Sequence, residues 1–118
     1  MSAVIMVSFD IDGTLEVGDP PGPITLAFVR AVKEKGCLIG SSSDRTVAEQ
    51  HKMWAAAGIA ADFVGHKHHL DAVRERFVCT RRVHIGDTHV DEYYASLAGF
   101  EYWDAHAVPD LGTAGWIL

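Results

Sequence analysis

The run Val4-Ile5-Met6-Val7-Ser8-Phe9-Asp10-Ile11-Asp12-Gly13 constrains the fold most, because an apolar segment ends abruptly in two carboxylates and a glycine. A near-continuous Val/Ile run reads as a strand buried on both faces, the mark of a parallel sheet covered by helices. Open sheets of that kind bind ligands beyond the carboxyl ends of their strands. Asp10 and Asp12 fall at that end. Unpaired charges are costly to desolvate, so two acids placed there call for a counter-ion or a proton. A divalent metal and phosphate chemistry fit them best.

The rest of the chain repeats the strand-then-helix rhythm. A strand over 3–9 leads into the Pro/Gly-rich loop Glu16–Pro23, and a helix is expected from Ile24 to Lys35, with Pro23 at its start. Ile24, Ala27, Phe28, Ala31 and Val32 give that helix one apolar stripe, and Gly36 stops it. A strand over 37–42 precedes Ser43-Asp44-Arg45, and Thr46 with Glu49 has capping-box spacing for a helix ending at Gly58. Further strands are expected at Asp62–Val64, Arg82–Ile85 and Phe100–Trp103, separated by helices over 69–77 and from Val90 to Ala98. Such alternation predicts one α/β domain over 1–118, with a mostly parallel five-stranded sheet between two helical layers. The tail from Asp104 to Leu118 is less regular, and Trp116, Ile117 and Leu118 at its end are expected to pack on the core or a partner.

The net charge of −6 argues against a nucleic-acid-binding face. Arg74, Arg76, Arg81 and Arg82 form a basic cluster that reads as a solvated surface. Cys37 and Cys79 form no spacing motif and are expected as free thiols in a reducing compartment. No apolar stretch approaches the roughly 20 residues that cross a bilayer. The N-terminus also lacks the basic segment of a signal peptide. A cytoplasmic location without membrane contact is the resulting expectation.

Ser43, Lys67 and Asp87 each follow a strand, so a parallel sheet would bring them to the same edge as Asp10 and Asp12. The set suits phosphoryl transfer: a carboxylate nucleophile, a second acid for the proton, a hydroxyl and an ammonium for phosphate, and a third carboxylate for Mg²⁺. The adjacent Ser41 and Ser42 leave the identity of the hydroxyl open. His66, His68 and His69 surround Lys67, but no Cys has the spacing to complete a zinc site, and neighbouring histidines at a loop tip ordinarily face water. His68, His69 and His89 are alternatively placed to touch a leaving group. Trp54, with Met53 and Ala57, reads as core.

These motifs resemble the haloacid dehalogenase (HAD) superfamily over residues 4–103. Asp10-Ile11-Asp12-Gly13-Thr14-Leu15 matches the first motif of that family, Ser43 in Ser-Asp-Arg the second, Lys67 the third, and Gly86-Asp87-Thr88-His89-Val90-Asp91 the GDxxxD form of the fourth. The resemblance implies a Rossmann-like core and phosphomonoester hydrolysis. Asp10 would attack phosphorus and become an aspartyl-phosphate, while Asp12 would act as acid and then base. Mg²⁺ would be held by Asp10, the Asp12 backbone carbonyl and Asp87, with Asp91 close by. Ser43, Lys67 and the backbone N–H groups near Ile11 and Asp44 would bind phosphate oxygens.

Relatives of this kind gain specificity from cap domains, yet only 24 positions separate Ser43 from Lys67, and the Glu16–Pro23 loop holds at most a short flap. A capless site implies a small phosphorylated metabolite reached through an open cleft, with a homo-oligomer as one means of closing it. A non-catalytic metal- or phosphate-binding scaffold and a phosphotransferase are the alternatives. A receiver-type signalling domain fits poorly, because its phosphorylated acid lies on the third strand, where this chain places Lys67.

Overall fold

A computed structural model describes residues 4–111 and 116. Its strands and helices alternate as β1 (Ile5–Phe9), α1 (Leu26–Glu34), β2 (Leu38–Ser42), α2 (Val47–Ala57), β3 (Phe63–Gly65), α3 (Leu70–Arg76), β4 (Arg81–Gly86), α4 (His89–Ala98) and β5 (Glu101–Asp104). Short 3₁₀ turns occupy Lys67–His69 and Ala105–Ala107. Every strand pairing is parallel and the spatial order is β3-β2-β1-β4-β5, as in Rossmann-like α/β proteins. Among the described residues no helix is long and apolar enough to cross a membrane.

The strand period of two explains the layers. Ile5, Val7 and Phe9 on β1 pack in one cluster with Val29 and Val32 of α1 and Trp54 of α2. Met6, on the opposite face, packs with Leu70 and Val73 of α3 and Ala95 and Ala98 of α4. Helices therefore cover both faces of β1, and every residue of that strand is buried. Trp54 is core as expected, and its indole N–H is satisfied by the Ser41 hydroxyl at 2.9 Å. Trp116 is also buried, with Trp103 and Phe28 against its ring, whereas Ile117 and Leu118 lie outside the described residues.

Two local readings of the sequence need correction. Helix α1 begins at Leu26 rather than Ile24, because the Thr25 hydroxyl accepts the Phe28 N–H at 3.0 Å and so satisfies an otherwise orphaned donor. Ile24 instead bridges Leu15, and its N–H donates to the Thr14 carbonyl at 2.9 Å. That bridge closes the Glu16–Pro23 loop into a compact flap. The buried stripe of α1 rests on Val29 and Val32, while Ala27 is exposed. At α2 only half of the capping box forms: Thr46 accepts the Glu49 N–H at 3.1 Å, but the Glu49 carboxylate takes the Thr46 hydroxyl, at 3.0 Å. The complete box belongs to Thr88 and Asp91 at α4.

Gly40 lies in β2 where a Cβ would run into the Phe63 carbonyl and ring on β3. Gly40→Ala is therefore expected to destabilise the fold by about 1–3 kcal/mol through overpacking. Urea unfolding followed by circular dichroism would measure it, and an unchanged midpoint would show that β3 is free to move away.

Candidate active site

The chain leaves β1 towards β2 but leaves β4 towards β5, so the connections diverge between β1 and β4. Such a switch point opens a crevice beyond the strand ends. Asp10 enters it directly after β1, its N–H donating to the Ile85 carbonyl at 2.9 Å, and Asp87 directly after β4. Lys67 arrives from the turn after β3, and Asp91 from the first turn of α4. The resulting cleft of ≈ 280 Å³ is lined by Asp10, Asp12, Asp44, Lys67, Asp87, Thr88 and Val90. A larger groove of ≈ 480 Å³ adjoins the far side of Arg45, against Val17, Leu26 and Met53, and contains none of the predicted site residues.

Lys67 is buried, and its Nζ lies 3.1 Å from Asp91 Oδ1, 3.3 Å from Asp10 Oδ1 and 3.7 Å from Asp44 Oδ2. Burial works against its charge, yet Asp10 and Asp91 hold its pKa above the ordinary lysine value. The two buried acids respond in opposite directions. Burial and the neighbouring Asp91 push Asp10 up to about 7, against the pull of Lys67 and the Ile11 backbone N–H. Burial also raises Asp91, but the bond from His84, the Lys67 charge and the Thr88 hydroxyl outweigh it and bring that carboxyl down to about 2. Asp91 accepts from His84 Nε2 at 2.8 Å and from the Thr88 hydroxyl at 2.9 Å.

Asp12 stands apart from this cluster. Arg45 grips it with two nitrogens, Nη2 at 2.6 Å and Nε at 3.1 Å, and the Asp19 N–H adds a bond at 2.8 Å. Arg45 is the main cause that keeps the Asp12 carboxyl below the usual carboxylate range. Thr14 lies between Asp10 and Asp87, its hydroxyl 3.5 and 3.4 Å from their carboxylates. Two glycines make room for the acids. Gly13 has φ +76°, and any Cβ there would collide with the Asp87 carboxylate; a Cβ on Gly86 would strike the Asp91 side chain.

The structure thus gathers Asp10, Asp12, Asp44, Lys67 and Asp87 around one cleft. Ser43 and Asp91 are buried beside it rather than on its surface. The three serines take different partners: Ser41 is held by Gln50 and Trp54, Ser42 by Ser8, and Ser43 accepts the Arg45 backbone N–H at 3.1 Å. Sequence reasoning did not find His84, whose Nδ1 lies 3.0 Å from Ser8 Oγ and whose other nitrogen holds Asp91. A polar residue inside each of two apolar strands, Ser8 in β1 and His84 in β4, was the available signal.

A carboxyl held above its unfolded value of 3.8 favours the fold at low pH, and that contribution disappears as pH rises through its folded value of about 7. Asp91, lowered instead, contributes throughout the range above pH 4 and is lost only on acidification. In EDTA, the melting temperature is therefore expected to fall between pH 5 and pH 8 by a larger margin in the native protein than in Asp10→Asn. At pH 8 the Asn variant should be the more stable by about 5 °C or more. Parallel melting curves for the two proteins would contradict the strained state assigned to Asp10.

No protein-family model, curated protein or solved structure matches this chain, so its chemistry is read from its own residues.

Proposed function

We propose that the chain is a Mg²⁺-dependent phosphomonoester hydrolase of the HAD type, acting through an aspartyl-phosphate on Asp10. The observation that carries this reading is the buried Asp10 carboxylate at the switch point, 3.3 Å from the Lys67 ammonium and beside Asp87. One oxygen each from Asp10, Asp87 and Asp91 lies within 4.8 Å of the others. These are hard oxygen donors of the kind Mg²⁺ prefers. The single ammonium does not balance the acids, and the Asp91 charge adds to burial in holding Asp10 up to about 7. Asp10, the Asp12 carbonyl and Asp87 would hold the ion, with Asp91 behind them, since both Asp91 oxygens already accept hydrogen bonds. Bound there, Mg²⁺ would neutralise charge between the phosphate and the attacking carboxylate.

Asp10 supplies the nucleophilic oxygen, forming a bond to phosphorus as the ester oxygen leaves. Lys67 and the backbone N–H groups of the strand-end loops bind the non-bridging oxygens, which lowers the repulsion between two anions. Asp12 gives its proton to the leaving oxygen and later takes one from the water that cleaves the aspartyl-phosphate. Its pairing with Arg45 opposes protonation in the resting protein. A phosphate is a strong bidentate partner for an arginine, so a substrate that draws Arg45 away raises the proton affinity of Asp12 when it is needed. The exposed rim, with Asp44, Thr88 and Val90, suits a small phosphorylated metabolite or closure by a second subunit.

The same Arg45 grip favours one second reading, a scaffold that binds metal and phosphate without turnover. Phosphate release from a panel of monoesters separates the two. Release is expected with Mg²⁺, abolished by EDTA, and reduced by roughly three orders of magnitude or more in Asp10→Asn. No release from any ester, by folded protein that binds Mg²⁺, would establish the scaffold. Arg45→Gln should raise KM and move the Asp12-dependent limb of the kcat/KM profile, which reports the free protein, to higher pH; an unmoved profile would remove Arg45 from the control of Asp12.

A further inference from the structure

A second set of ligating side chains sits on the turn that delivers Lys67. The stretch His66-Lys67-His68-His69 is closed by the His69 N–H, which donates to the His66 carbonyl at 2.9 Å, and Lys67–His69 is a 3₁₀ turn. His66 caps that turn in an extended conformation, and the bond from the His69 N–H to its carbonyl folds the segment back so that the two residues stay close. Lys67 departs from them into the buried acids, with 5% of its side chain exposed, while His68 and His69 are exposed and His66 half-buried. The three imidazoles lie together, with ring centroids 5.3 Å apart for His66 and His68, 4.1 Å for His68 and His69, and 6.1 Å for His66 and His69. One ring nitrogen from each lies within 4.8 Å of the other two. Tyr94 of α4 stands 6.1 Å from the His68 ring.

We propose that His66, His68 and His69 form a transition-metal site, best suited to Zn²⁺, with three imidazole ligands and water in a fourth position. Zinc–nitrogen bonds of about 2.0–2.1 Å require the ligand atoms to close to roughly 3.4 Å in a tetrahedron. Ring rotation supplies that movement at two exposed side chains without disturbing the backbone. The turn itself is fixed by Lys67, whose ion pairs to Asp10 and Asp91 anchor its middle, so the ligands are presented in advance of the metal. Ligand chemistry keeps the two centres distinct: carboxylate oxygens suit Mg²⁺, imidazole nitrogens suit zinc and its neighbours. The histidine site takes no carboxylate ligand and does not rest on the phosphatase reading. A divalent ion there would add positive charge immediately beside Lys67, on the side of the cleft that receives phosphate.

The test uses untagged protein stripped with EDTA and kept in excess Mg²⁺ to fill the carboxylate centre. Co²⁺ is titrated by visible absorption and then displaced with Zn²⁺. One Co²⁺ per chain with tetrahedral d–d bands is expected, released by one equivalent of Zn²⁺. His68→Ala/His69→Ala should weaken binding by at least about 10-fold per ligand removed, the loss that even an outer-shell partner causes. Asp87→Asn, which removes no ion-pair partner of Lys67, should leave the bands and the affinity unchanged. Co²⁺ binding that survives in the histidine variant, that disappears in the Asp87 variant, or that is absent from the native protein would each overturn the site. Circular dichroism of the histidine variant, whose substitutions are exposed, confirms that any loss is not unfolding.

Discussion

The Lys67 ammonium lies among three carboxylates from three different parts of the chain, and water reaches little of it. Asp10 follows β1, Asp44 follows β2 and Asp91 belongs to α4, so one cation joins the ends of the central strands to the helical layer beyond. Removing the cation from such a buried set is strongly destabilising, of the order of 3–5 kcal/mol, because the carboxylates left behind stay desolvated. The arrangement also leaves the acids in excess. Burial, with repulsion from Asp91 added to it, raises the proton affinity of Asp10, and the same contacts that hold the strand ends together leave negative charge in excess.

Environment divides the labour among chemically identical groups. Asp91, bonded by His84 and Thr88, stays ionised and acts as an anchor for Lys67. At Asp10 the Ile11 N–H and Lys67 do not offset burial, and its proton affinity is raised. Asp12 is controlled from outside the cluster, by an arginine that is itself partly exposed. Two residues apart in sequence, Asp10 and Asp12 thus meet opposite electrostatic conditions. Separation of this kind is what lets paired carboxylates take different parts in one reaction.

Much of this was legible from the sequence because it depends on order along the chain. Alternating strands and helices set the parallel sheet, and residues that directly follow strands were bound to meet at one edge. Asp10, Asp87 and Lys67 were readable for that reason. Ser43 and Asp91 were placed near the site, but their burial depends on which way each side chain turns, and spacing does not encode that. The Arg45–Asp12 grip was hidden because it joins two loops 33 residues apart. His68 and His69 face water, as adjacent positions in a loop suggest. The proximity of the three rings was not legible, because it depends on the turn closed by the His69 N–H on the His66 carbonyl.

The polar row crossing the centre of the sheet, Ser42–Ser8–His84–Asp91, has a consequence for folding specificity. The apolar positions of β1, β2 and β4, filled by leucine, isoleucine, valine, methionine and phenylalanine, do not fix the register by hydrophobicity alone. Ser8 stands opposite His84 in the register of β1 and β4, and a slip of one residue would turn every side chain to the opposite layer. The hydroxyls and imidazole would then be left without partners in an apolar interior, at about 1–3 kcal/mol each. Misaligned sheets are thereby discriminated against by the same atoms that orient Asp91, so an incorrectly paired chain and a chain whose Lys67 anchor is displaced are one and the same defect.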